Sequence, residues 1–588
     1  MRRHKGFQYF NMIFLVPSML YRSFFLLFFL ALPGLVFSEP LRIPSSSGGI
    51  VDKEIEQQYE TKEISPDKEM PFVEIDIPEK QLDLPESKKI LLNKILLQGN
   101  KIFSLKKLCP LIKPYEGTEV SIKDINEMCR LIQVEYAKAG YFLVRVYAPA
   151  QEIVDRTLKI EVMEAKLGSV EITGNKYYRT AFILSYFNRF IGKTVNYNDL
   201  LKTLLLLNEN SDLKVGTVFK KGKELGTVDM VLQVQDSRPI HLSVDTNNYG
   251  SNVTALYRSG VRADVGNVLQ NGDTLSLVGV IGYPIHQLRF IDGIYRTPLN
   301  TRGSDLEFSY LYSDFYVDQL KHLHMHGKTQ IAAVKFYQAL QRTGRLNTDL
   351  YTSFEYKQIQ NFANHQTSAF DKLRVLSLGY KVDYMDSFKG HNVFDVSGFY
   401  GIPGFLGGLS ARDEHEKCSR TGAGGQFGYV DANYQRIQRL PASAFLFLNF
   451  QGQVALEILP LSEEFYIGGI NTVRGYPLAV ALGDSGFCFT TEVRIPPYFM
   501  RSSCVPFTKK PWKEVLQFVG FVDHGEVYTY QKIFKQVKSL QLTSTGLGAR
   551  VFGPYGIDFS ADVGVPLGNG SQKSANAIFY FRINMRIL

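Results

Sequence analysis

Two short constellations in the last quarter of the chain bring together side chains whose types and spacing can do specific work. The first is Val473-Arg474-Gly475-Tyr476, preceded by Phe465-Tyr466-Ile467-Gly468-Gly469 and followed by Gly483-Asp484-Ser485-Gly486 and Glu492-Val493-Arg494. The second is Phe521-Val522-Asp523-His524-Gly525. The glycines make the first a long hairpin loop with one arginine near its tip, and the second reads as a strand with one inward carboxylate. An arginine sent into a water-filled lumen can grip such a carboxylate through two parallel charge-assisted hydrogen bonds. Such a pair holds a conformation and does not catalyse.

Other constellations are weaker. Gly192-Lys193-Thr194 has the end of a phosphate loop, but the glycine required five residues upstream is Phe187, so that reading is rejected. His322, His324 and His326 alternate and would share one strand face, which is metal-ligand chemistry in principle but reads better as a wet loop or strand. Asp413-Glu414-His415-Glu416 with Cys418 reads as a charged exposed loop. No Gly-x-Ser-x-Gly elbow or paired-carboxylate arrangement stands out. The expectation is therefore no catalytic residue, no metal and no cofactor.

The elements that must position Arg474 and Asp523 are strands. From Ile240 to Leu588, 349 residues run as strand after strand separated by Gly, Asn and Asp turns. Ile557, Phe559, Ala561, Val563 and Val565 share one face, and Asp558, Ser560, Asp562 and Gly564 the other. The chain ends the same way, with Phe579, Phe581, Ile583, Met585 and Ile587 opposite Tyr580, Arg582, Asn584 and Arg586. Placing Arg582 or Arg586 on a lipid face would cost up to about 2–4 kcal/mol near the midplane, so both should face a wet lumen. Period-two alternation also fits a soluble sandwich with one wet face, but a sandwich of this size would not need so many outward aromatics. Sixteen strands would take about 22 residues each with their connections, enough for membrane strands of about 9–11 residues plus loops. Only a closed barrel hides every backbone donor from lipid.

Upstream lies an internal repeat. Ile95-Leu96-Leu97-Gln98-Gly99-Asn100-Lys101 recurs 75 residues later as Val170-Glu171-Ile172-Thr173-Gly174-Asn175-Lys176. Each copy opens with a strand ending in a Gly-Asn turn, continues with helical runs (Ile122 to Ala137; Tyr197 to Leu207), and closes with alternating strands. Those strands are Tyr141 to Tyr147 and Leu158 to Val162 in the first copy, and Lys214 to Lys220 and Thr227 to Val234 in the second. Residues 39–88 are rich in Glu, Asp, Lys, Pro and Ser and read as a largely irregular linker, with at most a short helix around Asp52 to Tyr59.

Composition bounds the function classes. Hydrophobic residues make up 45% of the chain, and the mean hydropathy of −0.09 excludes a bundle of membrane helices. Gly (49), Tyr (33) and Phe (42) are abundant while Trp occurs once, a mixture that suits strands with aromatic girdles. The net charge of +9 comes without a basic run interleaved with aromatics, so lipopolysaccharide or membrane-edge phosphates are expected partners and nucleic acid is not. Arg2, Arg3 and Lys5 before the apolar stretch Phe24 to Phe37 read as an export signal cut after Ser38, with Met12 or Met19 as alternative starts. The competing reading, a membrane anchor helix, is disfavoured by Pro33-Gly34. Of five cysteines, Cys109 and Cys129 fall in one small domain and could pair; an odd total leaves a thiol over.

The repeat resembles the POTRA (polypeptide-transport-associated) domain, and the whole of residues 90–588 is similar to the two-partner secretion transporters (TpsB), the haemolysin and filamentous-haemagglutinin secretion proteins of the POTRA-barrel outer-membrane superfamily. The resemblance rests on the motifs around Arg474 and Asp523. It rests also on Gly140-Tyr141 with Pro149 and Gln151, Gly222-Lys223-Glu224-Leu225-Gly226-Thr227, Asp245-Thr246-Asn247-Asn248-Tyr249-Gly250, Asn271-Gly272-Asp273, and Gly452-Gln453 before Leu459 and Glu464-Phe465. It implies a transmembrane β-barrel of sixteen antiparallel strands preceded by two α+β POTRA domains. The implied organisation is signal peptide 1–38, linker 39–88, POTRA domains 89–166 and 167–238, and barrel 239–588. It also implies a lumen loop motif (Val473, Arg474, Gly475, Tyr476), a barrel-wall partner motif (Phe521, Asp523, Gly525) and an ion pair between Arg474 and Asp523. The implied function is an outer-membrane pore exporting an unfolded partner exoprotein that docks on periplasmic POTRA domains, with no enzymatic step. The barrel assembly machinery would be a partner in biogenesis, although the terminal Leu588 replaces the usual Phe. The alternative is a factor of the same superfamily that inserts other barrels; two POTRA units favour export. Residues 39–88 carry no plug helix that could be claimed. The Arg474–Asp523 pair is open to two roles, a part that works during transport or an anchor for the folded loop.

Overall fold

The computed structural model describes residues 48–60, 65, 70–76, 89–251, 253–317, 324–412, 418–500, 504–505, 510–531, 536–567 and 576–588. The export-signal region, His322 and the run 413–417 lie outside them.

The described chain opens with helix α1 (Gly48–Glu60) and strand β1 (Val73–Asp76). The first repeat follows as β2 (Ile90–Leu92), β3 (Lys94–Gln98), α2 (Leu105–Ile112), β4 (Thr118–Val120), α3 (Ile122–Lys138), β5 (Val144–Tyr147) and β6 (Thr157–Glu164). The second is β7 (Lys166–Thr173), α4 (Thr180–Phe187), α5 (Tyr197–Asn208), β8 (Leu213–Lys221) and β9 (Thr227–Asp236). Each unit buries one face of its helices against a mixed sheet, ordered β3-β6-β5 in the first and β1-β8-β9-β7 in the second. Ile132, Tyr136, Val144 and Ile160 centre the first core, and Phe187, Leu204, Phe219 and Met230 the second. Ser121 and Asp124 start α3 with a reciprocal capping box.

The repeated Gly-Asn turn has one physical cause in both units. Gly99 and Gly174 take φ of +87° and +93°, and a Cβ at either would run into a carbonyl oxygen, that of Val162 or Val234. Asn100 and Asn175 then donate to the carbonyls of Phe103 and Tyr178, each at 2.8 Å. The amides that follow are capped by a carboxylate from the last strand. Glu164 accepts from Lys101 and Ile102, and Asp236 accepts from Lys176, Tyr177 and Tyr178.

The rest is a closed antiparallel barrel of sixteen strands. The first half comprises β10 (Ile240–Asn247), β11 (Tyr257–Gly266), β12 (Thr274–Tyr283), β13 (Leu288–Pro298), β14 (Ser304–Tyr316), β15 (His326–Arg342), β16 (Leu346–Ala363) and β17 (Gln366–Met385). The second half is β18 (His391–Gly401), β19 (Phe427–Arg439), β20 (Phe445–Ala455), β23 (Ser485–Ile495), β24 (Leu516–Gln531), β25 (Gln536–Phe552), β26 (Ile557–Pro566) and β27 (Ile578–Arg586). Between β20 and β23 runs the long loop, with its own small ladder of β21 (Phe465–Ile467) and β22 (Ala481–Gly483). Closure joins β10 to β27, with Ser243 opposite Arg586 and Asn247 opposite Arg582.

The alternation read from the sequence is the alternation of the wall. Val563, Val565, Phe579 and Met585 are exposed on the outer face. Asp562 and Tyr580 are buried inward, and Arg582 lies 3.5 Å from Asp245 across the closure seam. Among the described residues no helix is long and apolar enough to cross a membrane; the crossing is made by strands.

Within the expected irregular linker, residues 39–88, two described stretches are regular. Gly48–Glu60 is a helix, and it lies inside the barrel: Ile50, Val51 and Ile55 are buried. Val51 and Ile55 belong to a cluster with Val278, Phe290 and Phe315 of the barrel strands. Its helical run extends beyond the Asp52–Tyr59 suggested by the sequence because the lumen wall covers apolar and acidic residues alike, and no amphipathic stripe is required. Val73–Asp76 is a strand because it pairs with β8. The cysteine pairing also differs: Cys109 and Cys129 are both free thiols, Cys109 exposed on α2 and Cys129 in the core of the first unit. Burial pushes the Cys129 thiol up to about 11.

Candidate functional site

The long loop folds back into the barrel, and its tip meets the wall at Arg474. Val473 is fully buried with Ile467, Val527 and Leu542, which fixes the approach of the loop. Gly475 takes φ of +85°, and a Cβ there would press on the backbone of Gly564 in β26. Two glycines facing each other let loop and wall touch backbone to backbone. Gly525 serves the same purpose on β24, where a Cβ would crowd Ile467 and Val473.

The Arg474 guanidinium is almost wholly buried, and each of its nitrogens donates to a carboxylate. Nε donates to Asp523 Oδ2 at 2.8 Å and Nη2 to Oδ1 at 2.8 Å, a bidentate fork. Nη1 donates to Glu492 Oε1 at 2.7 Å. The backbone amide adds a bond to Asp523 Oδ2 at 3.1 Å, and the guanidinium carbon lies 3.4 Å from the Phe521 ring centroid. Asp562 stands 3.9 Å away and is itself paired with Arg550 at 2.9 Å, while Arg494 pairs with Glu492 at 3.0 Å. Three arginines thus face three carboxylates, a balanced cluster in which every charge has a counter-charge. Tyr580 completes the seat: its hydroxyl accepts from Gly475 N and donates to Tyr476 O. Tyr476 donates to Thr543 O at 3.1 Å.

The structure therefore brings together all seven residues of the two motifs, Val473, Arg474, Gly475 and Tyr476 with Phe521, Asp523 and Gly525. Sequence reasoning missed the rest of the ring. Glu492 and Arg494 stand in a stretch singled out for its spacing, but Asp562, Arg550 and Tyr580 come from strands 76 to 106 residues downstream of Arg474, and the only available signal was their place on the inward face.

The base of the loop has a second clamp, from the neighbouring extracellular connection. Arg420 donates to both Asp484 oxygens, at 2.5 and 2.8 Å, and to Glu464 at 2.5 Å. Gln453 braces the same place by donating to Glu463 O and Asp484 O, both at 2.9 Å.

Helix α1 shares the lumen with the loop. Glu54 forms a buried ion pair with Arg258 of β11. Tyr59 donates to Asp245 at 2.5 Å, and Arg262 donates to Tyr59 O at 2.8 Å. The helix also touches the loop directly: Tyr466 donates to Gln57 at 2.6 Å, and Asn471 to Glu54 O at 3.4 Å. Lumen-facing Asp371, Glu355 and Lys357 keep the remaining wall polar, with Lys357 bonded to Glu463.

The histidines sit elsewhere. His324 packs against His365 with ring centroids 4.4 Å apart, and His326 stacks on Phe362 at 4.2 Å, at the loop end of β15 and β16. Lys193 and Thr194 lie in the turn before α5, in the second repeat.

Comparison with known proteins follows the same outline. The model of the family described as haemolysin secretion/activation protein ShlB/FhaC/HecB matches residues 226–551, and that of the ShlB-type POTRA domain matches residues 90–165. The chain is 24% identical over 510 residues to the heme/hemopexin transporter protein HuxB of Haemophilus influenzae, covering 83% of this chain and 85% of that one. It is 22% identical over 424 residues to the hemolysin transporter protein HpmB of Proteus mirabilis, covering 70% and 73%. CdiB from Escherichia coli superposes with a TM-score of 0.73 at 16% identity, over 94% of this chain and all of that one, a likeness of fold.

Proposed function

We propose, for a chain that belongs to the haemolysin secretion/activation protein family ShlB/FhaC/HecB, that it exports a partner exoprotein across the outer membrane through its own barrel. The barrel lies in the outer membrane with the POTRA units in the periplasm. The exoprotein arrives unfolded, docks on the POTRA pair by adding a strand to an exposed sheet edge, and threads the polar lumen. No bond of the client is made or broken, so the reading contains no enzymatic step. Outer-membrane lipid and lipopolysaccharide surround the outward apolar band, and the assembly machinery inserts the barrel.

The observation that carries this reading is the lumen itself: a closed, polar-walled barrel filled by two segments of its own chain, α1 and the Arg474 loop. A passive pore would need no such occupants, and an extended client can pass only when they yield. Arg474 and Asp523 are then the seat to which the loop returns, and Gly475 is what lets it seat.

The test is a comparison of surface, secreted and outer-membrane proteomes with and without this protein. Loss of one or two large exoproteins with other barrels unchanged is the expected result. A general fall in outer-membrane barrels would overturn export and make the chain an insertion factor.

A further inference from the structure

The two repeats present different sheet edges. In the first unit β5 is simply the end strand of its sheet. In the second, the corresponding strand β8 is covered by β1, which lies parallel to it in the register Val73 to Thr217, Glu74 to Val218, Ile75 to Phe219 and Asp76 to Lys220. The pairing begins one residue earlier, where Thr217 N donates to Phe72 O at 3.0 Å.

This contact is built by residue type. The Phe72 ring lies against Gly216, in the space that any Cβ at 216 would occupy. Glycine leaves a strand open to close approach from above, and an aromatic ring is the group that fills such a place. β5, with the sequence Val-Arg-Val-Tyr, has no glycine and offers no slot. Charge agrees with shape: Phe72, Glu74 and Asp76 alternate onto one face, while β8 ends in Lys220 and Lys221. Yet the strand is short and its residues beyond Val73 are exposed, so four residues of ladder hold it at a modest cost to remove.

The covered edge is tied to the lumen. Between α1 and β1 the chain touches the periplasmic rim at two points, Ser65 O with His391 Nδ1 at 2.5 Å and Met70 against Gly344. In sequence only twelve residues separate Glu60, the end of the helix in the barrel, from Val73, the start of the strand on the second unit.

We propose that the β8 edge with its Gly216 slot is the recognition site for an extended client segment of the pattern aromatic-x-acid-x-acid, and that Phe72–Asp76 is an internal competitor which the client displaces. This rests on the export reading, and it names the edge, the register and the chemistry that reading leaves open. Displacement would free Phe72–Asp76, which is close in sequence to the helix in the barrel.

The probe is a fluorescent peptide with the sequence of residues 70–78, added to the full-length protein in nanodiscs. Asp76→Cys with Lys220→Cys places two thiols opposite each other on strands about 4.8 Å apart, within disulfide reach. Oxidised, this staple should weaken peptide binding at least tenfold; reduced, the same protein should bind as the parent does, which removes folding as a cause. Phe72→Ala in the chain should tighten binding, and adding Gly216→Val should abolish that gain. Equal binding by the oxidised and reduced staple would overturn the proposal. In cells, the oxidised staple should block export of the exoprotein lost on deletion, with the single-cysteine variants exporting normally. Normal export by the staple would sink this inference alone, whereas deletion without loss of any exoprotein would sink the export reading.

Discussion

Two buried arginine–carboxylate contacts hold two segments inside the same barrel, and they are built to different standards. Around Arg474, every guanidinium nitrogen has a carboxylate partner, and those carboxylates have further support, Glu492 from Arg494 and Asp523 from the Arg474 backbone amide. Around Glu54, one carboxylate oxygen and Nη2 of Arg258 are buried without a hydrogen bond. Asp52 is buried and faces only the hydroxyls of Ser313 and Thr329 and, at longer range, Arg258. A buried polar atom left without a partner costs about 1–3 kcal/mol. The loop is thus seated as part of the wall, while the helix occupies the lumen at a standing cost. The difference predicts that the loop behaves as a lock and the helix as a removable stopper, with the helix leaving first.

The largest effect should come from the lock. Arg474→Ala leaves Asp523 and Glu492 buried facing each other's charge, a loss of about 3–5 kcal/mol, and should bring export to background with a clear drop in the barrel's thermal unfolding temperature. Arg474→Lys keeps the charge without the fork and should fall between. An Arg474→Ala barrel as stable as the parent would break the comparison at once.

The stopper should respond differently. Glu54→Gln removes the charge that holds Arg258, so the helix should spend more time outside the lumen. In planar bilayers the open fraction should rise about tenfold, equivalent to about 1.4 kcal/mol, with the barrel's unfolding temperature unchanged. If Glu54→Gln destabilises the barrel as Arg474→Ala does, helix and loop are equivalent locks.

Gly475→Ala sharpens the same contrast with a smaller change. Its positive φ and the facing Gly564 make an added methyl cost about 1–2 kcal/mol. Export should slow several-fold, and Ala at an ordinary position of the loop should have no such effect.

The smallest effect lies outside the lumen and serves as a reference. Burial pushes the Asp236 carboxyl up, but the amides of Tyr178, Lys176 and Tyr177 outweigh it and hold it below the usual 3.8. A depressed folded value means the contribution is present above the unfolded value and is lost as pH falls through the folded one. Hydrogen-exchange protection at Lys176–Tyr178 should therefore fall when the pH drops below about 3.8. Protection that does not change there would mean that the Asp236 carboxylate contributes nothing to the turn.

Much of this was legible in advance where the physics is local. The Gly-Asn turns of the two repeats need φ above zero and an amide side chain reaching three residues on, so Gly99-Asn100 and Gly174-Asn175 announce themselves. The inward faces of β26 and β27 were readable because a charged residue cannot face lipid. The plug was not, because Ile50, Val51 and Ile55 are too few to signal a buried helix, and what buries them comes from strands more than two hundred residues away. The cysteine pairing failed for the converse reason: nearness in one small domain says nothing of direction, and Cys129 points into a core that Cys109 does not enter.

The sequence by itself determined the repeating units, the strand alternation, and the arginine and carboxylate able to grip each other, because each depends on neighbours within a turn or a strand. The tertiary structure alone decided the rest. It set Glu492 and Asp562 around Arg474, put α1 rather than an open channel in the lumen, and laid Phe72 on Gly216. Those contacts join residues that share no local pattern, and only closure of the sheet on itself brings them within reach.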